Sequence, residues 1–220
     1  MRQAVGTFAF TAVVAVALFA AAGTVAWWNG WVAVGFLLGL GAATSRVIER
    51  SPGLKDERSK AAARAPRWDR VVVRLTNLAL PAILLAAAME RRLVGRAEVP
   101  VIASAAAFAL MLPAAVLTYR AMAANAFFSS HVRIQHDRAH TVVSRGPYAV
   151  VRHPGYAGAA AFNLLLPVAL GSWWALLPAV LAAALLVWRT SKEDRFLAAE
   201  LPGYAAYASR VRYRLVPGVW

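Results

Sequence analysis

Apolar runs of roughly 17 to 25 residues, the length a helix needs to cross a hydrocarbon core about 30 Å thick, recur along this chain. They cannot all be soluble core helices. With 60% of the 220 residues hydrophobic and 15% charged, too little polar chain remains to cover them. Six spans are read, at about 5–27, 31–45, 71–89, 99–119, 155–171 and 173–189. The second and the last two are short and suit tight helical hairpins, with Asn29-Gly30 and Gly171-Ser172 as the turns. The first run is longer than the roughly 7–15-residue core of a signal peptide and a second run follows almost at once, so it reads as a span. The expectation is an all-α, polytopic membrane protein of a single domain, 1–220, of which 1–119 supplies the first four spans.

A net charge of +14 would point to nucleic acid in a soluble protein. Its distribution points to a membrane instead. Eight basic residues lie between Arg46 and Arg70, five between Arg120 and Arg152, and six between Arg189 and Arg214, each group flanking apolar runs. This is the positive-inside pattern, and with six spans it puts both termini and all three groups on the cytoplasmic side. The polar segment 45–70 reads as a cytoplasmic loop with a surface helix. Conducting proteins place ionisable residues deep in their spans. Here only Arg74 lies inside one, a turn from its end, where its stem reaches the headgroups. The absence of Cys excludes disulfides, thiolate metal sites and a cysteine nucleophile.

Polar chemistry gathers after Arg120, in a stretch that holds all 4 histidines. His136 and His140 are a helical turn apart, but no carboxylate or Cys completes a metal spacing, and no metal is expected. In "GPYAVVRHPGYAG", Gly146 and Pro147 make a turn and Pro154 opens a helix, where its missing N–H costs nothing. His153 then sits at the positive end of a helix dipole, a place for an anion. Gly155 and Gly158 leave room for a ligand or a neighbouring helix. The competing reading is that Arg152 and His153 only anchor the span among headgroups. Past the last hairpin, Arg189, Glu193 and Asp194 return to the level of His153. Arg189 and Glu193 are spaced to share a helix face, if only as an exposed pair.

Taken together, "HTVVSRGPYAVVRHPGYAG", a short hairpin and "RTSKEDRFLAAELPGYAAYASRVRYRLVPG" resemble the isoprenylcysteine carboxyl methyltransferase family of integral membrane enzymes and its phospholipid methyltransferase relatives. The resemblance covers roughly 120–220, which would be the methyltransferase-like core. It implies S-adenosyl-L-methionine as methyl donor, held at the cytoplasmic face by the C-terminal hairpin. By position it implies cofactor contacts from His140, Thr141, Val142, Val143, Tyr148, His153, Pro154, Gly155, Tyr156 and Glu193. Arg189 matches an arginine associated with substrate and is the implied catalytic residue. Gln135 is of the type of a further cofactor glutamine, at a shorter spacing to His140 than the family's. Asp194 stands where Glu is more usual.

The implied reaction is in-line transfer of a methyl group from a sulfonium to a nucleophile of a lipophilic acceptor reached from the bilayer, and its demand is positional. An acceptor carboxylate is already ionised at neutral pH, and Arg189 would hold it through its planar fork. A thiol or amine would need a base, with histidines as candidates. Sterol and steroid reductases, which use NADPH, carry a similar R-H-P-x-Y-x-G, usually with Asn after the proline and an acid after the last glycine. Gly155 and Ala159 depart from that pattern. A non-catalytic membrane protein that keeps the fold is the remaining alternative.

Overall fold

The computed structural model describes residues 2–50, 61, 63, 65–95 and 99–220. Seven helices form among them: α1 (Arg2–Ala22), α2 (Trp28–Arg50), α3 (Arg67–Val94), α4 (Val101–Ala124), α5 (Pro154–Leu170), α6 (Leu176–Glu200) and α7 (Tyr204–Arg210). Two short 3₁₀ turns, His136–Arg138 and Gly146–Ala149, interrupt the long connection between α4 and α5. No strand forms among the described residues, so the all-α expectation holds. α2, α3 and α4 are long and apolar enough to cross a membrane, and α5 is a shorter apolar helix. The surface helix expected within 45–70 falls mostly on residues outside the described ones.

α4 packs on α5, α5 on α6, α6 on α3, α3 on α1 and α1 on α2, and α2 also touches α4 and α5. The buried core where these helices meet is rich in alanine: Ala22, Ala33, Ala87, Ala88, Ala107, Ala114, Ala169 and Ala179 all lie in it. Small residues suit this setting, because lipid gives helices no hydrophobic reason to associate and close van der Waals contact must hold them. Gly158 makes the α4–α5 contact possible, since a Cβ there would lie 2.6 Å from the Ala114 carbonyl oxygen.

Element boundaries depart from the sequence reading in two instructive places. Asn29 and Gly30 do not form the first turn; they are buried inside α2, and the turn falls at 23–27, where Gly23 has a φ of 69°. Asn29 is needed elsewhere: its amide donates to the Ala169 carbonyl (2.6 Å), and Ser104 of α4 donates to the Val168 carbonyl (3.0 Å). Both acceptors belong to the last turn of α5, whose carbonyls have no partner within the helix. The second difference is that α6 runs on to Glu200, eleven residues past the apolar part, and so carries Arg189, Glu193 and Asp194 on one rigid element. Gly171, with a φ of 72°, does end α5 as the sequence implies.

These contacts fix the two ends of the bundle. The α1–α2 turn, the C-terminal end of α3 and the α5–α6 turn meet at one end, where Arg91 donates to the Ala26 carbonyl and Glu90 accepts from the Ser172 hydroxyl and the Trp174 N–H. Trp27, Trp28, Trp31, Trp173 and Trp174 gather there. Trp68 and Trp188 meet edge-to-face at the opposite end, 5.8 Å between ring centroids. Tryptophans at both ends of an apolar bundle are the pattern of a protein set between two membrane interfaces. The 125–153 connection and the C-terminal segment lie at the Trp68 end.

Candidate functional site

α5 starts where the sequence places its start, with His153 as N-cap and Pro154 as its first residue. The N–H groups just before it do not point to water. Those of Arg152 and His153 donate to the carbonyls of Tyr213 and Arg214, at 2.9 Å each. The C-terminal segment is thereby laid across the R-H-P sequence.

Arg152 is buried and fully engaged. Its Nε and Nη2 donate to the two oxygens of Asp194 (2.7 and 2.8 Å), and its Nη1 donates to the carbonyls of Val211 (2.8 Å) and Arg212 (3.0 Å). That geometry replaces the headgroup-anchor reading, because the guanidinium faces inward. Asp194 also accepts from the Tyr204 hydroxyl (2.8 Å) and Arg214 Nε (2.9 Å), and His153 Nε2 lies 3.3 Å away. Burial pushes the Asp194 carboxyl up, but hydrogen bonding to His153, Arg152, Tyr204 and Arg214 outweighs it and holds the group well below the usual carboxylate range. Burial, with Asp194 beside it, pushes the Tyr204 phenol well up, so it stays a donor. Tyr207 anchors the same wall by donating to the Tyr148 carbonyl (2.7 Å).

Beside this hub lies a cavity partly open to solvent. His140, Thr141, Val142, Val143, Tyr148, His153, Gly155, Tyr156 and Glu193 line it. Of the residues carried over as cofactor contacts, only Pro154 is outside the lining; it is buried and serves to begin α5. Glu193 accepts from the Tyr156 hydroxyl (2.6 Å), and the Tyr156 ring stacks on His153 with 5.7 Å between centroids. Gly155 faces Phe128, whose ring a Cβ would meet at 2.9 Å, so the missing side chain makes room for the aromatic wall.

The 125–143 chain forms the opposite wall. Gln135 is buried and braces that chain: its Nε2 donates to the Phe127 carbonyl (2.8 Å) and its Oε1 accepts from Arg138 (2.6 Å). The Phe127 ring lies against His140 at 4.4 Å. Three of the 4 histidines, His131, His140 and His153, line the cavity, whereas His136 is exposed and does not.

Arg189 lies behind the lining. Its Nε donates to Asp69 Oδ1 (3.0 Å), its Nη2 donates to the Ser130 carbonyl (2.7 Å) and its guanidinium lies over the Tyr156 ring at 5.1 Å. Two sides of the fork expected to receive a carboxylate thus already have protein partners. Asp69 falls in the segment whose sequence reads as a loop. The available signal was an acid at the edge of one span facing an arginine at the edge of another.

The described residues thus form a helical, membrane-type bundle with a polar, aromatic-walled cavity at one end. Residues 105–199 match the isoprenylcysteine carboxyl methyltransferase (ICMT) family. The match begins within α4 and ends near the last residue of α6. No curated protein matches the chain.

Proposed function

We propose that the protein is an integral membrane methyltransferase that uses S-adenosylmethionine to methylate a lipophilic acceptor. The observation that carries the reading is the convergence of chain segments around 140–143, 148, 153–156 and 193 on one cavity, inside a stretch that matches a methyltransferase family. The residues present suit the cofactor. Glu193 would take its ammonium, since among the described residues only the Tyr156 hydroxyl bonds that carboxylate. Phe127, Phe128 and Tyr148 offer apolar faces for its ring, and 140–143 offer backbone groups. When bound, S-adenosylmethionine supplies an electrophilic methyl group on sulfur.

The chain's own contribution is placement. The Asp194 hub holds His153 and the start of α5, and the Tyr156 hydroxyl holds the Glu193 carboxylate at the cavity wall. A carboxylate acceptor needs no base. For a thiol or amine acceptor, His131 and His140 are the candidates because they line the cavity, in place of His136. In this reading six helices cross the bilayer, α5 and α6 form the hairpin under the site, and the cavity opens to the cytoplasm. Support for the orientation comes from the basic residues of 120–152 and 189–214 at the cavity end.

The test is calorimetry on the purified protein in detergent with S-adenosylmethionine, S-adenosylhomocysteine and NADPH, followed by labelled methyl transfer into membrane extracts. Binding of both sulfur compounds and label in the lipid phase are expected. Binding of NADPH alone would replace this reading with a reductase.

A further inference from the structure

Asp69 lies in the first turn of α3, outside the matched residues 105–199, and is completely buried. A carboxylate in that setting needs partners, and it has them. One oxygen accepts from Arg189 Nε at 3.0 Å, with Nη2 of the same guanidinium at 2.9 Å; the other accepts the Val132 N–H at 2.9 Å. A single side chain therefore ties α6 to the cavity wall.

Arg189 and Glu193 are four residues apart on α6, a spacing at which opposite charges pair readily along a helix. Here they do not pair. Arg189 turns to Asp69 and the Ser130 carbonyl, while Glu193 lies on the cavity and touches the hydroxyl of the Tyr156 ring that separates them. We infer that Asp69 is a positioning residue that holds Arg189 off Glu193, so that the Glu193 carboxylate stays available to the cationic end of the ligand. The rearrangement stands on geometry alone; the identity of the ligand rests on the methyltransferase reading. Without the Asp69 charge, Arg189 is a buried cation whose remaining carboxylate lies one helical turn along its own helix. Pairing with it cancels the charge that faces the cavity.

Asp69→Asn removes the charge with little change of shape, and two measurements on the full-length protein in detergent read its consequence. In unfolding experiments without ligand, Glu193→Gln is expected to lower the midpoint further in the Asp69→Asn background than in the wild type, because Glu193 has become the partner of Arg189. Additive effects would overturn the inference. In titrations with S-adenosylmethionine, Asp69→Asn is expected to lose about tenfold or more in affinity, the scale of one charged hydrogen bond. The Asp69→Asn/Arg189→Gln double variant, which leaves no cation to capture Glu193, is expected to regain most of it. Wild-type affinity in the single variant, or equal weakness in both, would overturn the inference. If the wild type binds no S-adenosylmethionine, the functional reading fails while the unfolding cycle still decides the role of Asp69. If Asp69→Asn does not fold, the double variant decides alone: near wild-type affinity supports the inference, and weakened affinity or failure to fold makes the pair a structural brace and sinks it.

Discussion

Arg152 and Asp194 are 42 residues apart in sequence and meet through two parallel hydrogen bonds, Nε to Oδ1 at 2.7 Å and Nη2 to Oδ2 at 2.8 Å. The pair joins the segment that precedes α5 to the last turns of α6, and those two pieces frame the cavity. Removing one partner leaves the other buried without its counter-charge, a loss of about 3–5 kcal/mol. Asp194→Asn is therefore expected to lower the unfolding midpoint strongly and to abolish ligand binding, whereas Arg214→Ala, on the half-exposed partner, is expected to cost far less. Thermal unfolding in detergent followed by tryptophan fluorescence compares the two.

The same hub sets a pH window. Asp194 ionises more readily folded than unfolded, so its contribution is full above the unfolded value of about 3.9 and is lost as pH falls below it. Tyr207 behaves oppositely. Burial pushes it up to about 12, above the unfolded value of about 10, so its contribution is full below the unfolded value and disappears as pH rises through the folded one. Unfolding midpoints measured across pH should show a plateau between these limits, with the acid limb flattened in Asp194→Asn and the alkaline limb in Tyr207→Phe. Unchanged limbs in both variants would remove these groups as the cause.

Gly155 and Gly158 are separated by one turn of α5, and substitution with alanine should give different results. At Gly158 the new methyl meets the Ala114 backbone, which cannot yield without parting α4 from α5; a loss of about 1–3 kcal/mol is expected. At Gly155 it meets the Phe128 ring, a side chain that can swing into the cavity. Gly155→Ala should fold and bind ligand more weakly, while Gly158→Ala should show its effect in stability. Equal stability losses would mean that Phe128 is as rigid as backbone.

The orientation can be read with thiol labelling, because the chain has no Cys of its own. Val25 lies exposed at the tryptophan-rich end and Ser209 lies exposed at the cavity end. With a membrane-impermeant reagent added to intact cells, Val25→Cys is expected to label and Ser209→Cys to resist until the membrane is opened. The reverse pattern would put the cavity outside the cell.

The parts of the site legible in the sequence were those with a local signature. Pro154 after Arg152 and His153 announced a helix start, and the run from Arg189 to Asp194 announced a polar helix end beside it. Partners set by packing between distant helices were not legible. Asp69 stands at a span edge, but no spacing names Arg189, 120 positions away, as its mate. Nor did spacing distinguish Glu193, which lines the cavity, from its neighbour Asp194, which is consumed by Arg152, Arg214 and Tyr204. Asn29-Gly30 failed as a turn signal because a tertiary demand, the open carbonyls of α5, outweighed local preference.

The bonds from the Arg152 and His153 N–H groups to the carbonyls of Tyr213 and Arg214 also impose an order on biogenesis. A chain made from its N-terminus inserts its apolar helices first. The R-H-P stretch leaves the ribosome about sixty residues before the segment that pins it. Until residues 213 and 214 emerge, the Arg152 and His153 N–H groups lack these partners, so insertion of the apolar helices and closure of this end of the bundle are separated in time.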